Sequence, residues 1–338
     1  MATIHDVAQS AGVSPTTVSR YLNNRIDLPA PTAARIDAAI AELDYRPNLL
    51  AKRLSTGKSE AIALVTPEIA NPFFAELAAA VEDEAEKHGY AVFMSSTRGD
   101  AAREVASLKR LSDRHVDGLI LMTNRPDEGT LKRRIEPGSP VVLIDEDVPG
   151  VEVPRVFVEN ETGTYLAARR LLEAGHRRIA FIGGPKGLLS VTERRGGFER
   201  AMREAGLKVR RDHVLLGAYT REFGRGATAG LLAAPEPPTA IVAASDYIAI
   251  GVLQALRDHG LKVPGDMSLI GFDDMPFAEL MDPPLTTIRQ PVAAMGRHGF
   301  QALLALMTGH EPQMLTRLPV ELIERKSVAA PRKGDLSA

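Results

Sequence analysis

The stretch TIHDVAQSAGVSPTTVSRYLNN, Thr3 to Asn24, holds two helical patterns with only "GVS" between them. Thr3 followed by Asp6 is a capping box in which Asp takes the place usual for Glu or Gln. Ile4, Val7, Ala8 and Ala11 recur at i, i+3, i+4 and i+7, the apolar face of a first helix. Gly12 suits the left-handed residue that ends such a helix. Ser14 is placed to cap the second helix, and Pro15 fits its first position, where an N–H would have no helical partner. On that helix Val18 and Tyr21 share one side, while Pro15, Thr16 and Arg20 fall within roughly 140° on the other. A third helix is expected from a Thr32 cap, with Ile36, Ile40 and Leu43 as its buried stripe.

Two short helices joined by a tight turn containing Gly, with a third to cover them, make a helix-turn-helix unit. The polar face of its second helix fits a DNA major groove about 12 Å wide. Arg20 is suited to guanine O6 and N7, Thr16 to a base edge or phosphate, and Pro15 to a thymine methyl. So small a unit buries too little surface to be robust alone.

The pattern T-x-x-D-V-A-x-x-A-G-V-S-x-x-T-V-S-R-x-L-N reads straight through Thr3 to Asn23 and resembles the headpiece of the lactose/galactose repressor (LacI) family. The resemblance implies base contacts for Pro15, Thr16 and Arg20. It implies phosphate contacts or support for Thr3, Ser14, Thr17, Ser19 and Asn23. Pro15 departs from the hydrogen-bonding side chain that family members often carry there.

After "DYRP" comes NLLAKRLSTGKSE, Asn48 to Glu60, which reads as a short Asn48-capped helix stopped by Gly57. Eight residues do not hold a helix in water unaided. Leu49, Leu50 and Leu54 therefore need a partner, either the body of the protein or DNA. Resemblance to the family's hinge implies a helix that forms in the minor groove. Leu54 would be its wedge, with Ala51, Lys52 and Arg53 lining the groove or touching phosphate.

Charge agrees with an anionic partner at this end. Residues 1–58 hold seven Lys or Arg against five Asp or Glu, leaving 34 basic and 38 acidic residues for the rest. The net charge of −2 thus divides into +2 and −4. There is no cysteine, which excludes disulfides and thiolate metal sites. Asp6 interrupts any leader-like run, and no apolar stretch approaches the roughly 18 residues of a membrane span. A cytoplasmic, soluble protein is expected.

From Ala61 onward short apolar strands alternate with helices, beginning with "AIALVTP" and "PFFAELAAAVEDEAEKHG" and running to "DYIAIGVLQALRDHG" and "MSLIGFDD". That rhythm means parallel sheets covered by helices on both faces, and a break near Glu159–Thr162 suggests two similar lobes. Ligands of such sheets bind at the carboxyl ends of strands. The polar and aromatic residues expected there are Asn71, Phe73 and Phe74 in lobe one. In lobe two they are Arg194, Arg195, Tyr219, Ser245 with Asp246, and Asp273 with Asp274. Aromatic faces with a few carboxylates, amides and guanidinium groups fit a polyhydroxylated ring. One of Phe73 and Phe74 is expected to be core, and Arg195 a surface cation.

"NPFF" (71–74), "VDGLI" (116–120), "LIGFDD" (269–274), "PPLTTIRQP" (283–291) and "ERKSV" (324–328) extend the resemblance to the periplasmic-binding-protein-like body of the same family. It implies ring stacking by Phe73, Phe74 and Tyr219, a polar grip by Arg194 and Asp273, and effector contact by Asn71 and Asp246. Ser245 stands where the family usually reads Asn, and Glu159 where it usually reads Asp.

The expected organisation is a helix-turn-helix headpiece over 1–46, a hinge over 47–58 and a two-lobed α/β core over 59–330. Lobe one would take 59–160 and 289–320, and lobe two 161–288 and 321–330, followed by a polar tail over 331–338. The resemblance implies an allosteric repressor of a carbohydrate-utilisation operon, binding palindromic operator DNA as a homodimer and a sugar-like effector between its lobes. A nucleoside or purine effector is the alternative, and a stand-alone sugar-binding protein a further one. The tail has no heptad leucines, which favours a dimer over a zippered tetramer. Catalysis, cofactor and metal are not expected. "GRGATAG" (224–230) is one spacing off the dinucleotide fingerprint, and "DEDVPG" (145–150) reads as a solvated loop.

Overall fold

The computed structural model describes residues 2–22, 25–45 and 57–332. Asn23 and the hinge positions Ala51, Lys52, Arg53 and Leu54 lie outside them. The chain divides into two compact units, Met1–Ser59 and Glu60–Ala338.

In the first unit α1 spans Ile4–Ala11, α2 Pro15–Leu22 and α3 Ala30–Glu42. The capping box forms at α1: the Asp6 N–H donates to Thr3 Oγ1 and the Thr3 N–H to Asp6 Oδ2. Gly12 ends the helix at φ 66°, in the left-handed region a Cβ disfavours. Ser14 Oγ accepts from the Thr17 N–H at 3.1 Å and so caps α2. The start of α3 differs from expectation. Pro29 precedes its first residue and Thr32 lies inside it, so no side-chain cap forms. Pro31 in the first turn, preset in φ and with no N–H to satisfy, starts the helix upstream of Thr32 instead. Val7, Ala8, Ala11, Val18, Ile36 and Ala39 make the small core. Polar ties supplement it: Tyr21 donates to Asp37, and Arg35 Nε to the Ala11 carbonyl.

The second unit contains two six-stranded sheets. Lobe one is built from β1 (Ala61–Thr66), β2 (Ala91–Ser96), β3 (Gly118–Leu121), β4 (Val141–Ile144), β5 (Arg155–Val158) and the late strand β11 (Leu315–Leu318). Their spatial order is β11-β5-β4-β3-β1-β2, and every pairing is parallel. Lobe two uses β6 (Ile179–Gly183), β7 (Val214–Leu216), β8 (Ala240–Ala243), β9 (Ser268–Asp273), β10 (Thr286–Arg289) and β12 (Glu321–Ile323). Their order is β12-β10-β9-β8-β6-β7, parallel except where β12 runs against β10.

Strand periodicity explains the two-faced cores. Ile62 and Leu64 of β1 face one cluster, and Ala61, Ala63 and Val65 the other. In β6, Ile179 and Phe181 divide from Ala180 and Ile182 in the same way. Because both faces are covered, these strands read as continuous apolar runs.

Helices α4 (Pro72–Lys87) and α5 (Ala101–Ser112) belong to lobe one. Lobe two carries α6 (Asn160–Glu173), α7 (Leu189–Glu204), α8 (Arg221–Leu232) and α9 (Asp246–Asp258). The chain then returns to lobe one with α10 (Val292–Thr308), whose Met295, Phe300 and Leu303 join that lobe's core. It therefore crosses between lobes three times: after β5, after β10, and between β11 and β12. The "GRGATAG" segment lies inside α8 and forms no phosphate loop. Among the described residues no helix is long and apolar enough to cross a membrane.

Candidate ligand cavity and DNA-reading face

The carboxyl ends of the two sheets enclose a cavity of about 170 Å³ whose walls come from both lobes. Asn71, Phe73 and Phe74 contribute from lobe one, and Arg194, Tyr219 and Asp273 from lobe two. Local sequence positions each of them. Asn71 Oδ1 caps α4 by accepting the Phe73 N–H at 3.1 Å, which holds the "NPFF" turn at the cavity mouth. Phe73 and Phe74 meet edge to face at 5.3 Å. Both are buried and both line the cavity, so the pair does not divide into one core ring and one site ring. Tyr219 lies against the backbone just after β6: a Cβ on Gly184 would stand 2.2 Å from its ring. That residue is Gly because the ring occupies the space.

Arg194 is only 3% exposed, and its guanidinium is held on three sides. Nε donates to Asn160 Oδ1 at 2.8 Å, Nη1 donates to the Ala244 carbonyl at 2.7 Å, and the Phe272 ring lies 3.8 Å away. Burial by itself would push the guanidinium down, but Tyr219, Asp273, Asp145 and Glu146 outweigh it and hold it charged. Asp273 ends β9 at φ 120°, a strained conformation for a residue with a Cβ. Its carboxylate accepts from Gln290 Nε2 at 2.7 Å, on the crossover segment after β10. Burial raises Asp273 to about 7 against the lowering pull of Arg194.

Asp246 is a correction. It is wholly buried at the start of α9 but does not line the cavity. Its oxygens accept from the Met275 N–H and from Thr287 Oγ1, tying α9 to the segments after β9 and in β10. Ser245 stands at the cavity instead and caps α9 through the Ile248 N–H. Arg195 is exposed and pairs with Glu199, as a surface cation should. Asp274 pairs with Arg289 and Arg325.

A second correction concerns "DEDVPG". Asp145 and Glu146 turn into the cavity from the end of β4 and are not a solvated loop. Glu146 accepts the N–H groups of Leu189 and Ser190 at 2.9 and 3.0 Å. Burial and then the Asp145 charge raise it to about 7. These carboxylates and Gln290 were missed by reading the sequence, although the rule that sites gather after strands pointed to the end of β4.

On the headpiece, Thr16 and Arg20 are exposed and Pro15 and Ser19 half-exposed, all on α2. Val18 is buried beneath them. Thr3, Ser14 and Thr17 are engaged in the caps of α1 and α2.

A helix-turn-helix unit on the same chain as a two-lobed body with a ligand-sized cleft defines a DNA-binding regulator controlled by a small molecule. The chain belongs to the lacI family of bacterial regulatory proteins: that family's model matches residues 3–48, and the periplasmic binding protein-like domain matches residues 168–328. It is 36% identical over 332 residues to the HTH-type transcriptional repressor CytR of Escherichia coli (strain K12), covering 97% of each chain. Among solved structures it resembles the lac repressor dimer bound to operator and the anti-inducer ONPF. That match has 29% identity and a TM-score of 0.85, and covers 97% of this chain and 99% of that one. The transcriptional regulator CelR in complex with cellobiose matches at 32% identity and a TM-score of 0.74, covering 97% and 100%.

Proposed function

We propose that this protein represses a carbohydrate-utilisation operon and that a sugar-like molecule bound between its lobes changes its grip on operator DNA. The observation that carries the ligand class is the cavity itself. Aromatic rings of Phe73, Phe74 and Tyr219 line it together with hydrogen-bonding groups of Arg194, Asp273 and Gln290. Apolar C–H faces of a pyranose or furanose stack on the rings while its hydroxyls pair with the polar groups. A nucleoside is the second reading, supported by Tyr247, which adds a further ring to the wall and suits a planar base.

Arg20, Thr16 and Pro15 would read base edges, with Thr3, Ser14, Thr17, Ser19 and Asn23 on or near phosphate. Ala51, Lys52, Arg53 and Leu54 would form the minor-groove hinge. Ligand binding between lobes alters their relative angle, and the segment that joins body to headpiece in the sequence would pass the change on. A coupling of about 1–3 kcal/mol gives roughly a 5- to 150-fold change in operator affinity.

The working unit is a cytoplasmic homodimer. Leu280 is 81% exposed beside Phe277 and Met281, and Phe93 is 53% exposed on the edge strand β2. A second copy of the chain would cover both. Catalysis is not part of the proposal, because Asp274, the neighbour of Asp273, is engaged by two arginines. A gel-shift assay at low salt with palindromic duplexes, repeated with sugars and nucleosides, tests the reading. Failure to retard any palindrome with or without them would overturn it.

A further inference from the structure

Resting on the reading that the cleft holds the effector, we infer that the cavity selects by charge: it takes an unphosphorylated, uncarboxylated molecule that brings O–H or N–H donors, and it rejects anions. Asp145, Glu146 and Asp273 all line the cavity, against the single guanidinium of Arg194. Two nitrogens of that guanidinium already donate to Asn160 and to the Ala244 carbonyl and the group lies over Phe272, so it can offer a ligand a single nitrogen but not the two-pronged fork that grips a phosphate or carboxylate.

Two buried cavity acceptors have no donor: Asp145 Oδ1 and Gln290 Oε1. The orientation of the Gln290 amide follows from its partner. The Asp273 carboxylate needs a donor, so Nε2 faces it and Oε1 is left over. A buried acceptor without a donor costs free energy that a ligand hydroxyl or amine recovers. A phosphate brings acceptors only and would meet carboxylates whose charges it cannot satisfy.

The charged and titratable groups that act on Asp145 are Arg194, Glu146, Asp273 and Tyr219. Its backbone sits at φ 71°, a region that Asn tolerates well, so Asp145→Asn removes the charge without straining the turn.

The test uses the full chain in two arms. Calorimetric titration at pH 8, where Glu146 and Asp273 are ionised, compares matched pairs: ribose with ribose 5-phosphate, glucose with glucose 6-phosphate, cytidine with CMP, adenosine with AMP. Any pair that binds should show the phosphorylated member about tenfold or more weaker, a gap of about 1.4 kcal/mol. Asp145→Asn should narrow it. A phosphorylated member binding as tightly as its parent overturns the inference. The second arm needs no ligand and decides the matter if no pair binds. Asp145→Asn should raise the melting temperature of the empty protein at pH 8 and leave it nearly unchanged at pH 5, because it relieves repulsion among ionised carboxylates. An unchanged or lower melting temperature at pH 8 would mean that Arg194 already neutralises Asp145, which overturns the inference while leaving operator control intact.

Discussion

Glu146, at the end of a lobe-one strand, accepts the backbone N–H of Ser190, the second residue of a lobe-two helix, at 3.0 Å. It also accepts the Leu189 N–H, and so satisfies two of the four donors that the first turn of α7 leaves without helical partners. Its own N-cap residue, Leu188, provides no side-chain cap. One lobe therefore caps a helix of the other beside the ligand cavity, and an opening of the cleft would break the cap.

Glu146→Ala should weaken the closed arrangement by about 0.5–2 kcal/mol, the usual worth of an N-cap. X-ray scattering of the ligand-free protein should then report a larger radius of gyration. An unchanged radius, with unchanged ligand affinity, would remove Glu146 from lobe closure.

The same carboxyl sets a pH dependence. Burial raises Glu146 to about 7, above the roughly 4.3 of an exposed glutamate, so the folded protein keeps a proton that the unfolded chain has lost. Its effect is absent below the unfolded value, grows as pH rises, and is complete above about 7. Urea midpoints of the ligand-free protein should fall between pH 5 and pH 8, and Glu146→Gln should lessen that fall. Asp273, also raised to about 7, contributes with the same sign. An equal or larger fall in the Gln variant would contradict the assignment.

Arg194→Met should cost about 3–5 kcal/mol, because it strands the charges and hydrogen-bond partners around a buried cation. Arg194→Lys should recover little of it, since one ammonium does not reproduce the fork to Asn160 and Ala244 while stacking on Phe272. Denaturant titration of both variants gives the comparison, and full rescue by Lys would refute the geometric role.

Arg20→Ala should leave the headpiece folded, because Arg20 is exposed and its small core does not include it. Loss of a bidentate base contact should cost about 1–3 kcal/mol of operator binding and relax choice at one base pair per half-site. Binding to a randomised half-site library reads this directly. A uniform loss over all sequences, with a smaller salt slope, would make Arg20 a phosphate contact.

Leu280→Glu should shift sedimentation from dimer to monomer, since the residue stands far out of its own fold beside Phe277 and Met281. Melting of the monomer should otherwise stay close to that of the parent. A variant that still sediments as a dimer would place the contact elsewhere.

Local pattern carried the headpiece. The Thr3–Asp6 capping box, the Gly12 stop and the Ser14 cap are interactions between residues at most five apart, so their chemistry is written in neighbouring letters. Thr32 has the chemistry of a cap, but Pro31 beside it begins α3 earlier, which is also a local effect. In the body, alternation of apolar strands with helices was enough for two parallel sheets, since covered strands read as continuous apolar runs. The edge strands β11 and β12 were not read: of their seven residues none is buried, which leaves no apolar run to mark them.

The cavity drew on separations of many tens of residues, and there the sequence alone chose less well. Asp246 looks as fit for a ligand as Asp273, yet the first is wrapped by Met275 and Thr287 while the second faces the cleft in a left-handed turn. Asp145 and Glu146 look like a charged surface loop until the second lobe closes over them and offers the unsatisfied start of a helix. Helix caps and strand periods depend on contacts within one element, and composition suffices for them. Which carboxylate meets ligand and which braces the frame depends on what distant segments bring to the same place, and only the packed pair of lobes decides it.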